Sequence, residues 1–264
     1  MRRIFIASVL LATCLASCIE RKTENGKVGI DTLIFNKKDT NANIGLKVEF
    51  PVTDNKVLEN AITEFIIEEL GGTYNDDLTN GNAIIKYYGN TLYNEITNEA
   101  KEFGDEYNPS LEYSQSIIKI HETKLYVTYI ADTYVFMGGA HGTSTKAGCT
   151  FRKNDGRRFS YNMLHNTERA EFKQMIKQGL RKYFANLGTE ITDDETLASM
   201  LITESDVNYL PLPESEPYLT DQGVVFIYQQ YEIAPYAAGM PKFTISYRDI
   251  MPYLTTTALN YINN

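Results

Sequence analysis

The sequence predicts an α+β fold in two parts, with antiparallel strand pairs and interspersed helices. Three observations point to it. Runs of β-branched and aromatic residues occur in both halves, three segments carry apolar residues at helical spacing, and the blocks follow no βαβ rhythm. With 264 residues, 43 % of them hydrophobic, the chain is long enough for one large core or two small ones.

The first residues, MRRIFIASVLLATCLASC, place two arginines before an apolar stretch from Ile4 to about Ser17, followed by Cys18. That is the layout of a secretory signal, and it is too short to span a bilayer. Its end, Leu15-Ala16-Ser17-Cys18, resembles the lipobox of bacterial lipoproteins, in which the cysteine is acylated and begins the mature chain. Residues 1–17 are therefore expected to be a signal peptide, Cys18 a lipidation site, and 18–30 a polar linker. An ordinary cleaved signal with an incidental cysteine is the alternative. Cys14 leaves with the signal and Cys18 carries lipid, so Cys149 has no partner for a disulfide. Set in KAGCTF on an expected strand, it is expected to be buried.

Two strands follow the linker, DTLIFN and IGLKVEFPV, with Pro51 marking the end of the second. Asp54 is the expected N-cap of a helix carrying Leu58, Ile62, Phe65, Ile66 and Leu70, stopped by Gly71-Gly72. A second helix spans 83–103, with Gly89 as an unfavourable interior residue and Gly104 as its stop; Asn108-Pro109-Ser110 then breaks the chain. Residues 111–137 read as two antiparallel strands reversing near His121 to Lys124. Asn154-Asp155-Gly156, between alternating arms, predicts a hairpin. A third helix over 168–187 places Phe172, Ile176, Leu180, Tyr183 and Leu187 on one face. Arg169, Lys173, Lys177 and Arg181 form a stripe on another, read as a solvated face. Residues 188–222 form a long surface connection with a short helix near DDETLASMLI. GVVFIYQQYEI and KFTISY are strands flanking APYAAGMP, and a short terminal helix is interrupted by Pro252.

Charge is unevenly spread. Without Arg2 and Arg3 the chain keeps 23 basic against 34 acidic residues, a net charge of −11, which argues against nucleic acid as a partner. From Lys146 to Lys182 there are ten Lys/Arg against three Asp/Glu; from Tyr183 to Pro241 there are ten acids and no Lys or Arg. Either the acidic segment steers a cationic partner, or the two segments face each other within the fold.

Catalytic and metal signatures are weak. The three histidines, His121, His141 and His165, make no His-x-x-x-His pair, so no metal site is expected. No Gly-x-Ser-x-Gly elbow, P-loop or dinucleotide fingerprint occurs, so no cofactor and no catalytic residues are assigned. Two small-residue loops stand out instead. YVFMGGAHG ends an apolar run at Gly138, Gly139, His141 and Gly142, and YEIAPYAAGMP carries Tyr231, Glu232, Pro235 and Tyr236. Neither has the bulk to hold the other away, so they are expected to lie side by side. In a structural role, the His141 ring nitrogens are satisfied by backbone or by Tyr231, Glu232 or Tyr236. In a functional role, the two loops form a binding edge from those eight residues.

YVFMGGAHGT, NDGRRFSYNML and VVFIYQQYEIAPYAAGMPKFTISYRDIMPYL together resemble the RsiV-like domain of unknown function. That domain is found in the extracytoplasmic part of the RsiV anti-sigma factor and ahead of the catalytic domain of the PdaC peptidoglycan deacetylase. Residues 31–135 resemble the smaller domain that accompanies it, which puts the RsiV-like part at 136–264. The resemblance implies a PdaC/RsiV-like α+β fold in the cell envelope, without a cofactor. In RsiV the corresponding region binds animal-type lysozyme, a strongly basic protein. The sigma-binding segment of RsiV and the metal-binding deacetylase domain of PdaC have no counterpart here, so neither activity carries over. The expectation is an outer-membrane lipoprotein facing the periplasm or the surface. It binds a peptidoglycan component or a lysozyme-like protein, and the alternative is a wall hydrolase using His141.

Overall fold

The computed structural model describes residues 26–102, 110–202 and 207–262. The signal peptide, Cys18, the Gly104 stop and Asn108-Pro109 lie outside them. Among the described residues no helix is long and apolar enough to cross a membrane.

Five strands make the larger sheet, in the order β1 (Gly29–Lys38), β2 (Ala42–Val52), β3 (Leu111–Glu122), β4 (Tyr126–Phe136), β5 (Thr143–Arg152). Strict alternation makes β2 a strand: Ala42, Ile44, Leu46, Val48 and Phe50 are buried, while Asn43, Gly45, Lys47 and Glu49 point the other way. The buried face packs on α1 (Lys56–Glu69) and α2 (Gly81–Glu102). The expected antiparallel sheet is in fact mixed, since β2 and β3 pair in parallel. The two helices between them carry the chain back along the sheet, so β3 starts at the same end as β2.

Local details differ from expectation for identifiable reasons. The α1 N-cap is Asn55, not Asp54, because the Asn55 side chain accepts the amides of Val57 and Leu58. Pro51 does not end β2: it pairs with Ile30, and the strand runs on to Val52. Gly89 is tolerated inside α2 because the Phe35 ring occupies the place a Cβ would take. The Asn154-Asp155-Gly156 turn forms, but its second arm is an isolated bridge, Phe151 to Arg158, rather than a strand.

The smaller sheet holds β6 (Tyr218–Leu219), β7 (Gly223–Ile227) and β8 (Lys242–Ser246). Phe226, Phe243 and Ile245 face α3 (Ala170–Asn186), which contributes Phe172, Ile176, Leu180 and Phe184. Leu187 was expected on that face but falls after the last turn and is 54 % exposed. The other face of this sheet presents Tyr218, Val225 and Ile227 to Ile130 of β4. Buried Thr128 and Thr150 hydroxyls lie 2.8 Å apart and bond the Leu219 carbonyl and amide, joining the sheets. The expected division at 135/136 falls inside β4, one residue before its end, and beyond it β5 completes the larger sheet and sends Cys149 and Phe151 into its core.

The basic stripe on α3 is not simply solvated. Lys177 is buried and, with Arg181, grips Asp194 at the start of α4 (Asp194–Ser199) at 2.8 and 2.6 Å. Lys173 sits over the Tyr209 ring. At this point the basic and acidic segments do face each other. After β8 the terminal helix is broken into α5 (Tyr247–Ile250), a 3-10 turn at Met251–Tyr253 and α6 (Thr256–Leu259).

Candidate functional site

At the end of β4 the chain must turn back into β5 within six residues. Gly138 and Gly139, with φ of 84° and 99°, make that turn in backbone regions closed to most side chains. Gly142 closes it. A Cβ there would come within 2.5 Å of the Tyr134 ring, and its carbonyl accepts the Tyr236 hydroxyl at 3.0 Å. The two small-residue loops therefore do lie side by side.

Their meeting point is a cluster of three rings. His141 is exposed and stacks on Tyr236, with centroids 3.9 Å apart and planes 22° apart. The Tyr231 hydroxyl lies 3.4 Å from His141 Nε2, and His141 Nδ1 lies 3.1 Å from the Gly142 carbonyl. Tyr231 is 51 % exposed at φ 64°, a left-handed conformation uncommon for a bulky residue. Pro235 stands exposed before the 3-10 turn Tyr236–Ala238. Tyr183 donates to the Ala238 carbonyl from α3 and pins that turn.

Glu232 is near in sequence but turned to a different task. Its carboxylate accepts the Gln229 amide at 2.6 Å and the Glu214 amide at 2.8 Å. Burial, with the Glu214 charge adding, raises its pKa above the ordinary carboxylate range. This bend ends β7 at Ile227, so QQYEI does not continue the strand as expected.

Sequence reading missed the support of this site, which lies in Gln229 and Gln230. The Gln229 side-chain amide accepts the Lys146 N–H at 2.9 Å and donates to the Lys146 carbonyl at 2.8 Å, as a paired strand would. Gln230 accepts the Ser144 N–H at 2.7 Å. Together they cover the free edge of β5, and the only hint in the sequence is two polar residues interrupting VVFIYQQYEI. Among the described residues no three of His, Cys, Asp and Glu group as a metal would require.

The fold and the site together define a two-sheet α+β protein with a ring-bearing loop pair at one end of its larger sheet. Residues 164–248 match the family described as "Protein of unknown function (DUF3298)". The whole body is similar to the crystal structure of a member of that family from Bacteroides fragilis NCTC 9343. The TM-score is 0.65 at 20 % identity, covering 90 % of this chain and 98 % of that one. A DUF3298 family protein from Pseudomonas aeruginosa PAO1 is also similar, with a TM-score of 0.61 at 14 % identity, covering 88 % and 96 %. At these identities the likeness is one of fold. No curated protein matches.

Proposed function

We propose that this chain is a cell-envelope protein, lipid-anchored at Cys18, that binds a peptidoglycan component without transforming it. The observation that carries this reading is the exposed His141–Tyr236–Tyr231 cluster, held by backbone on one side and by the two glutamines behind it. Rings with polar edges suit ligands that offer both apolar faces and hydroxyl groups. Holding Tyr231 in the left-handed region costs about 1–3 kcal/mol, and residues kept so cluster at binding sites.

The position of the cluster supports the same reading. Glu122, Lys119 and Lys153 bond the backbone of Gly26 and Val28 at the β3–β4 turn. The rings stand at the other end of β4, whose eleven residues span roughly 35 Å. The chain thus enters the folded body at the end of the larger sheet opposite the rings, which leaves the cluster clear of the segment that leads to Cys18.

Peptidoglycan is preferred to a basic lysozyme-like protein because part of the acidic segment is engaged internally, at Asp194 and Glu232. The hydrolase reading of His141 needs an orienting carboxylate, and the groups beside its ring are Gly142 and the two tyrosines. The test is equilibrium binding to soluble peptidoglycan fragments and to lysozyme at low salt. His141→Ala and Tyr231→Gly are expected to weaken fragment binding at least tenfold, and Tyr231→Gly to raise stability. Lysozyme binding alone, or muropeptide turnover lost in His141→Ala, would replace the proposal.

A further inference from the structure

The larger sheet has a second face that the smaller sheet covers only in part. Over β4 and β5 it is closed by Tyr218, Val225 and Ile227 against Ile130. Over β1 to β4 it is an open groove of about 450 Å³. The strand registers build its floor row by row. One row runs Ile34, Lys47, Ser116, Asp132, Lys146, and the next runs Asn36, Gly45, Ser114, Tyr134, Ser144.

The floor is unusual for a surface that a protein partner would bury. Four of its central positions, Asn36, Gly45, Ser114 and Ser116, carry short polar groups or nothing. Only Ile34 is a large exposed aliphatic there. Asp132 and Lys146 pair at 2.6 Å on one flank, presenting an acceptor and a donor together. Tyr134 stands at the end, and its ring is the one packed against Gly142, whose carbonyl holds Tyr236. Through Tyr134 and Gly142 the end of the groove is joined to the loop that carries His141.

Short hydroxyl and amide groups on a shallow floor, a carboxylate–ammonium pair and a tyrosine wall are the chemistry that recognises a sugar chain. Hydroxyl and acetamido groups exchange hydrogen bonds with the floor, and the apolar face of a pyranose lies on the ring. The central rows carry two lysines, Lys47 and Lys146, against one aspartate, in a chain of 25 basic and 34 acidic residues. That local balance suits a weakly anionic strand. From β1 to β4 the groove is roughly 14 Å across at the normal strand spacing, longer than one sugar ring.

We infer that this open face is a glycan-binding groove, and that a peptidoglycan strand of β-linked N-acetyl amino sugars lies across the strands with one end against His141, Tyr231 and Tyr236. The inference rests on the envelope-binding reading and extends it to the ligand's class and path.

The test uses the full-length chain in mild detergent, with chitohexaose, chitobiose, a peptide-bearing peptidoglycan fragment and maltohexaose as probes in calorimetry. Chitohexaose and the fragment are expected to bind, chitobiose at least tenfold more weakly, and maltohexaose not at all. Ser114→Trp fills the groove from a solvent-facing strand position, where an aromatic residue is well tolerated. It is expected to weaken chitohexaose at least tenfold, with the thermal midpoint kept. Lys47→Glu is expected to weaken the peptide-bearing fragment more than chitohexaose. If both groove variants bind like the parent while His141→Ala and Tyr231→Gly lose binding, the groove inference falls and the ring-cluster proposal stands. If groove variants lose binding and ring variants do not, the ring-cluster proposal falls, and with it the placing of the strand's end against the rings. A parent protein that binds lysozyme but none of the sugars overturns the inference.

Discussion

Replacing Gln229 with leucine tests the claim that a side-chain amide stands in for a strand partner. The change keeps the side chain's bulk and removes three hydrogen bonds: two to Lys146, at 2.9 and 2.8 Å, and one to the Ser215 hydroxyl at 2.7 Å. Each contributes about 1 kcal/mol net, so their sum sets an upper limit of about 3 kcal/mol. Water reaches this half-buried edge and re-bonds part of what is lost, so the expected destabilisation is about 1–3 kcal/mol. Urea denaturation measures it, and hydrogen exchange at the Lys146 amide locates it. The amide is expected to be protected in the parent protein and to exchange faster in Gln229→Leu. A cost below about 0.5 kcal/mol together with unchanged exchange would show that the amide does not bridge the strand edge. Because the same turn carries Tyr231 and Tyr236, ligand affinity is expected to fall in this variant while the fold persists.

Thr150→Val removes the acceptor of the buried Leu219 amide and one partner of Thr128. It is expected to cost about 2–3 kcal/mol in urea denaturation. The double variant with Thr128→Val is expected to cost less than the two single changes added, and strict additivity would deny the network. Glu69 is held above its ordinary pKa of 4.5 by burial and by the charge of Glu68. The folded state thus keeps the Glu69 proton to higher pH than the unfolded chain does, so stability falls as pH rises from the ordinary carboxylate value through the folded one. Glu69→Gln is expected to flatten that decline in urea midpoints taken between about pH 4 and 7; parallel curves for the two proteins would refute the assignment.

Much of the architecture could be read along the chain because it depends on near neighbours. Alternation in IGLKVEF and helical spacing from Leu58 to Leu70 are set by which side chains share a face within a few residues. The encounter of the two glycine- and alanine-rich loops was also legible, since their small residues leave room for close approach. Other features escaped because they depend on register between distant segments. Whether β3 would run parallel to β2 depends on the path of two intervening helices. Whether Lys177 would be solvated or buried depends on where Asp194 returns.

The sequence by itself determined most of the strands of the larger sheet and its helices, that Cys149 is buried, and that Gly138–Gly142 is a sharp turn. Only the tertiary structure decided that β5 joins the first sheet, that Gln229 seals its edge, and that the polar side of β1 to β4 stays open beside the rings. The physical reason is range. Local propensity and periodicity act over one or two turns of chain, whereas an open face is what remains after every distant segment has settled elsewhere.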